Sequence, residues 1–223
     1  MTKIIDCDIF DIIPFSAGVL FVKKETLANN SLKATFFAFD INNMRLVPAK
    51  RSTYLTAKFG DCYENILNQI NDYVFCDTDV LQSNKLVTVF PSGETGVFNA
   101  DGENIWSGDL LYHNFPVKGV AAHGALIWCC VPEFNSVISY SIAQKKFCMR
   151  IGGDTSSAFS NPTSVSVYKN ELFVCNSGSN KIRSINLKDY SVADFKEFNE
   201  PVLKYIRSCD KEIVVLNSGV YIL

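Results

Sequence analysis

The sequence is poor in the residue types that announce a reaction. Its 223 residues hold two histidines. It has no GxSxG elbow, no GxGxxG turn, no Walker loop, no HExxH helix and no CxxC pair. Those motifs set nucleophiles, phosphates or zinc at defined backbone positions, so their absence removes the best-marked enzyme classes. No catalytic residue is assigned. Two histidines without a cysteine pair leave a His/Cys zinc site short of ligands. His113 stands in a polar stretch and His123 in the turn Ala122–Gly124, and both read as solvated residues.

Charge and long apolar runs are scarce as well. The formal net charge is −2, and no basic cluster exceeds two residues, as at Lys50-Arg51. That argues against nucleic acid as a partner. The longest wholly apolar run, Ala125 to Val131, is far short of a membrane span. Asp6 and Asp8 interrupt the first ten residues, so no secretory signal is read there. Eight cysteines in this length are too dilute for a disulfide scaffold. Reduced thiols and a cytoplasmic setting are the expectation. With 48% apolar and 20% charged residues, the composition is that of an ordinary globular protein, expected to be a monomer.

What is present is a repeat. Phe159 to Leu187 reads as three strands and two turns. Ser164 to Val167 alternates, and Lys169-Asn170 turns the chain. Leu172 to Cys175 is apolar, Asn176 to Asn180 suits a loop, and Lys181 to Ile185 alternates again. The same order recurs at Ala125 to Tyr140, at Asn71 to Lys85, at Glu212 to Gly219 and at Gly18 to Lys23. Spacings of 41 to 54 residues, with several strands per unit, are the mark of propeller blades. Cys76, Cys129 and Cys175 share one strand slot in this alignment and read as small buried hydrophobes. The vicinal pair Cys129-Cys130 should point to opposite faces of a strand.

The central unit resembles an NHL-type propeller repeat. Pro162, Val165, Val167, Leu172, Val174, Asn180, Ile182 and Arg183 follow that pattern, while Ser164 replaces its glycine and Asn176 its aspartate. A second stretch, 114–142, follows it loosely. The resemblance implies a propeller, and it implies no activity, because propellers host many.

The fold expected is all-β: a five-bladed propeller filling residues 1–223 as one domain. The blades fall at 10–60, 61–111, 112–155, 156–198 and 199–223, the last completed by residues 2–8. After Leu203–Ser208, Ile213–Leu216 and Val220–Leu223 the chain ends one strand short, and residues 2–8 are the spare. Pairing the two termini would close the ring without an open edge. Six blades or an irregular ring is the alternative. In the second blade, Tyr63–Ile70 is read as the inner strand and Tyr73–Cys76 as the next.

The site expected is positional. The residues just after each blade's second strand are Lys23, Asp77, Cys130, Asn176 and Asn217, with Glu133 and Asn180 nearby. Their loops should meet on one face near the axis, where ligands collect. The candidates are therefore Lys23, Asp77, Glu133, Asn176, Asn180 and Asn217. The function expected is binding, of a small polar ligand or a protein partner. The alternative is a metal-dependent hydrolase or lyase of the sugar-lactone-hydrolysing kind, with its site at the channel mouth. A divalent cation near Asp77-Thr78-Asp79 is the one cofactor considered, against a plain turn there.

Overall fold

The computed structural model describes residues 1–6, 11–15, 18–26, 28, 32–40, 43–48, 77–81, 85–208 and 210–223. They form five four-stranded antiparallel sheets and one small hairpin. Blade one is β1's successor set: β2 (Asp11–Phe15), β3 (Gly18–Thr26), β4 (Leu32–Asp40) and β5 (Arg45–Pro48), where β1 is Thr2–Ile5. Blade two is β6 (Asp77–Leu81), β7 (Lys85–Val89), β8 (Glu94–Phe98) and β9 (Asn104–Asp109). The hairpin β10 (Leu111–Tyr112) and β11 (Phe115–Pro116) follows. Blade three is β12 (Lys118–His123), β13 (Leu126–Val131), β14 (Ser136–Ser141) and β15 (Lys146–Gly152). Blade four is β16 (Pro162–Tyr168), β17 (Glu171–Asn176), β18 (Lys181–Asn186) and β19 (Val192–Glu197). Blade five is β20 (Val202–Ser208), β21 (Lys211–Leu216) and β22 (Gly219–Ile222), with β1 as its fourth strand.

The inner strands touch in a ring: β6 packs on β12, β12 on β16, β16 on β20, and β2 on both β20 and β6. This is the five-bladed propeller expected from the repeat. No helix among the described residues is long and apolar enough to cross a membrane.

Each blade is a meander because its strands alternate and its turns carry the residues turns need. Asn99 shows the local chemistry: its side-chain oxygen accepts from the backbone N–H of Asp101 and of Glu103, closing the β8–β9 turn. Apolar side chains of neighbouring blades interleave in buried clusters. One joins Trp128 and Cys130 of blade three to Leu172 and Val174 of blade four. The next joins Phe173 and Cys175 of blade four to Val214 and Leu216 of blade five. Between blades, Gly119 (φ +62°) lies where a Cβ would come within 3.0 Å of the Ser164 Cα, so only glycine lets β12 and β16 approach there.

Closure uses both termini. Thr2 pairs with Ile222 and Lys3 with Tyr221, antiparallel. Ile5 then enters a cluster with Ile12 and Phe21 of blade one and Ile213 and Val215 of blade five. Gly219 (φ +137°) permits the contact, since a Cβ there would collide with the Ile5 carbonyl oxygen.

Three sequence-based placements need correction. First, β6 is the inner strand of blade two and pairs with β7, so all four strands of that blade lie within 77–109. The stretches 63–70 and 73–76, Cys76 included, lie outside the described residues. The run Asp77-Thr-Asp-Val-Leu opens with three polar residues in succession, which reads as a turn until one sees that a propeller's innermost strand borders a polar axis. Second, the shared cysteine slot is held by Cys130, not Cys129. Val131 pairs with Ser136, and Asn176 pairs with Lys181, each the first residue of a third strand. Counting back one residue aligns Cys130 with Cys175. Cys129 faces the opposite way, into a cluster with Val87 and Val97 of blade two. Third, blade five is displaced in the same manner. Pro162 pairs with Asn176 and Val202 with Leu216, each just before a bulge. Leu216, not Asn217, is the counterpart of Asn176.

Removing residues 1–6 is expected to lower the melting temperature and to bare β22 as a sheet edge, so that the truncated chain self-associates. Thermal unfolding and size-exclusion chromatography check this; an unchanged melt with a monomeric profile would contradict the closure.

The cysteines give a second test. Cys129, Cys130 and Cys175 are buried free thiols, and Cys148 is exposed. Burial pushes the three buried thiols to high pKa, which keeps them protonated and unreactive. Alkylation read by peptide mass spectrometry should modify Cys148 in the native state and the other three only in denaturant. Cys175→Ser should cost about 1–3 kcal/mol by burying a more polar group in a mainly apolar cluster, with the Ser164 side chain beside it.

Candidate functional site

The inner strands leave one edge without a strand partner, and those edges surround the axis. Backbone groups on such an edge need side chains, water or a ligand. The axis is a cavity of about 210 Å³ whose wall comes from all five inner strands. Among the described residues, four charged ones stand in that wall: Asp77 and Asp79 of β6, and Lys204 and Arg207 of β20. Apolar positions such as Ile12 and Val120 complete it.

Asp77 and Lys204 form an ion pair, each with a side chain 17% exposed. Blades two and five are not neighbours in the ring, so this pair bridges the channel. Lys204 follows a bulge between Val202 and Lys204 that locally re-aims β20. Asp79 serves the free edge directly. Its Oδ2 accepts from the Ala122 N–H at 3.1 Å, and its Oδ1 from the Val80 N–H at 2.7 Å. The first bond ties blade two to blade three on the axis.

Arg207 lies further along β20. Its guanidinium sits 4.6 Å from the centre of the Tyr168 ring, and its Nη2 is 3.8 Å from Glu212 Oε1. Its Nε is buried without a hydrogen-bond partner, as are Thr78 Oγ1 and Ser166 Oγ, two further wall residues. Tyr205 is also on the wall, but its ring packs against Phe173 and Phe195 in the blade interface. Burial, and then the charge of Glu212, push its pKa well above the usual phenol value.

Of the six residues expected at the site, Asp77 alone lines this cavity. It does so from the start of an inner strand and not from a loop after a second strand. Lys23 lies within β3 and is half-buried. Glu133 is exposed on a single 3₁₀ turn, Pro132–Phe134. Asn217 is exposed in the β21–β22 turn. Asn176 is 2% exposed. Its Oδ1 accepts from the Ser160 N–H at 2.7 Å, and its Nδ2 donates to Ser179 Oγ at 2.6 Å. Asn180 takes a left-handed backbone (φ 56°) that closes the turn Ser177–Ser179, and its carbonyl accepts from the Phe198 N–H. Asn135 does the same for Pro132–Phe134 with φ 45°, and its Oδ1 accepts from the Asn161 N–H at 2.8 Å.

Asn135 therefore joins a loop of blade three to the start of blade four, while Asn176 and Asn180 order the segments around blade four. Sequence reasoning missed Lys204, Arg207 and Ser166, and it weighed Thr78 and Asp79 only as part of a run that could hold a cation. The signal that was available is the breach of alternation: Lys204 and Arg207 interrupt an otherwise apolar inner strand.

A second feature is the hairpin β10–β11. His113 (φ 49°) and Asn114 (φ 68°) form a two-residue turn with both φ positive. Phe115 is 44% and Leu111 40% exposed. Tyr112 meets His113, Phe134 and Phe147 edge-on. His113 is thus exposed but set on an aromatic base, not in a purely polar stretch.

Among the described residues, no group of three His, Cys, Asp or Glu side chains is placed to hold a metal ion. No family model and no curated protein matches the chain. Among solved structures it is similar to streptogramin B lyase, with 12% identity and a TM-score of 0.51, over 95% of this chain and 63% of that one. It is similar to a catalytically inactive virginiamycin B lyase from Staphylococcus aureus with quinupristin, with 10% identity and a TM-score of 0.52, over 95% and 78%. It is similar to U3-55K, with 10% identity and a TM-score of 0.53, over 92% and 57%. The chain thus spans less than two thirds of the streptogramin B lyase and U3-55K chains. At such identities the likeness shows the propeller fold alone.

The ion pair across the channel predicts non-additive energetics. Asp77→Ala or Lys204→Met alone leaves one charge in the half-buried wall. The double variant removes both. A coupling of about 1–3 kcal/mol in a double-mutant cycle of denaturant unfolding is expected. Strict additivity would show that the pair contributes nothing.

Proposed function

We propose that this chain is a non-catalytic binding propeller that takes a small polar ligand in its axial channel. The observation that supports this reading best is the channel wall. Among the described residues it gathers four charged side chains and four residues with buried, unpartnered polar atoms (Thr78, Ser166, Tyr205 and Arg207) in one cavity, while the blade interfaces are mainly apolar. A buried polar group without a partner costs stability, and a ligand that supplies the partner recovers it. Asp77 belongs to this reading directly. Glu133, Asn180, Asn217 and Lys23 are proposed as loop-face and second-strand residues around it. Asn176 is proposed to act by holding its loop.

The two carboxylates of the channel wall among the described residues are engaged, Asp77 by Lys204 and Asp79 by two backbone N–H groups. That weighs toward a ligand held by hydrogen bonds and against a hydrolase or lyase built on a divalent ion. A protein partner is supported separately by the exposed aromatic hairpin, where Leu111 and Phe115 stand out beside Phe134. The kinship of residues 159–187 with NHL-type repeats, one domain over 1–223, a monomer and a cytoplasmic setting with reduced thiols are parts of the same proposal.

A ligand-observed NMR screen of mixed small polar metabolites tests the channel. Replacing Asp77 and Lys204 together by alanine keeps the net charge and should weaken any hit by about tenfold or more. Gln144→Ala, in the exposed β14–β15 turn away from the cavity wall, should not. A hit that ignores the channel change, or that is lost in Gln144→Ala instead, would sink the proposal.

A further inference from the structure

We propose that the channel ligand is a small monocarboxylate held at the Arg207 side of the cavity; this rests on the channel reading above. Among the described residues the wall's charges are two aspartates against Lys204 and Arg207. They do not balance in bonding. Asp77 is met by Lys204, and Asp79 accepts two backbone N–H groups. Arg207 is less well served. Its Nη2 stands 3.8 Å from Glu212 Oε1, too far for a hydrogen bond, and its Nε has no acceptor. Glu212 is closer to Lys196, at 3.1 Å. Stacking on Tyr168, 4.6 Å away, holds the guanidinium plane in place.

A buried guanidinium N–H without an acceptor calls for an anionic oxygen, which makes a charge-assisted bond. The hydroxyls of Ser166 and Thr78 are unpartnered and can donate to further oxygens of the ligand. Size and charge narrow the class. The cavity of about 210 Å³ is smaller than pockets for drug-sized molecules, at roughly 300–1,000 Å³. The two aspartates in the same wall repel a dianion more than a monoanion. A short-chain carboxylate, with or without a hydroxyl, meets all of these conditions, and a phosphate does not.

The test is ligand-observed NMR on the full chain. The probes are the monocarboxylates from acetate to hexanoate and lactate, their primary amides, and inorganic phosphate. At least one acid should bind, with its amide and phosphate weaker by about tenfold. Arg207→Met should lower the acid's affinity by about tenfold and leave the amide's unchanged. Ser166→Ala is the milder second variant, in case Arg207→Met does not fold, and should lower it by roughly threefold. Equal binding of acid and amide, preferential binding of phosphate, or full acid binding by both variants would overturn the carboxylate assignment while leaving the channel reading in place. Binding by none of the acids overturns it too, and the metabolite screen with the Asp77/Lys204 variant then decides the channel reading independently.

Discussion

The structure depends on one antiparallel pairing, β1 against β22. Without it the last blade would have three strands and the ring an open seam. With it, Ile5 is drawn into a cluster that spans blades five and one, where Ile12, Phe21, Ile213 and Val215 are buried together. The pairing therefore does two things at once. It satisfies the outer edge of β22, and it brings apolar surface from both ends of the chain into one interface. The channel is a consequence. An axial cavity with walls from all five blades exists only where β2 also meets β20.

The blade count and the closure were legible in the sequence for a physical reason. A blade must alternate apolar residues at strand spacing and turn at Asn, Asp or Gly, so each blade repeats the same constraint. Register was less legible. Side chains change face at every residue, so an alignment wrong by one place exchanges the two faces of a strand. Cys129 and Cys130 show this. Both are cysteines, so composition cannot choose between them, and only their partners Ile138 and Val137 do. Blade five was displaced by the same single step, because the repeat alignment matches Glu212 to Glu171, whereas Lys211 opens β21 as Glu171 opens β17. Asp77 failed differently. Its strand is short and polar because it borders the axis, and polarity in a short run is also how a turn reads.

The axis explains why polar residues stand in inner strands at all. In a blade, three of the four strands are paired or face solvent, whereas the innermost edge faces the edges of the other blades. Its outward N–H groups are held in a confined space, where leaving them unpaired is costly. Asp79 answers this by accepting from Ala122 of the next blade. The ion pair of Asp77 and Lys204 answers a related problem, since each charge would be poorly hydrated in the channel without the other.

Repetition itself separates structural residues from those that serve a ligand. What every blade needs recurs in register. Asn135 and Asn180 occupy the same left-handed turn position in successive blades, and both are used to join loops. A ligand on the axis is different, because it meets all blades at once and needs each group only once. The residues with that property break the repeat. Lys204 follows its bulge where Ser164 follows the equivalent one, and Arg207 stands three residues later where blade four has Val167. Glu200 is engaged by Ser218 in the loops of blade five, so that loop too is occupied by its own bonding. The search for recurring loop amides thus leads to the groups that hold the ring together. The departures from the repeat, concentrated on β6 and β20, mark the place where the ring has chemistry to spare.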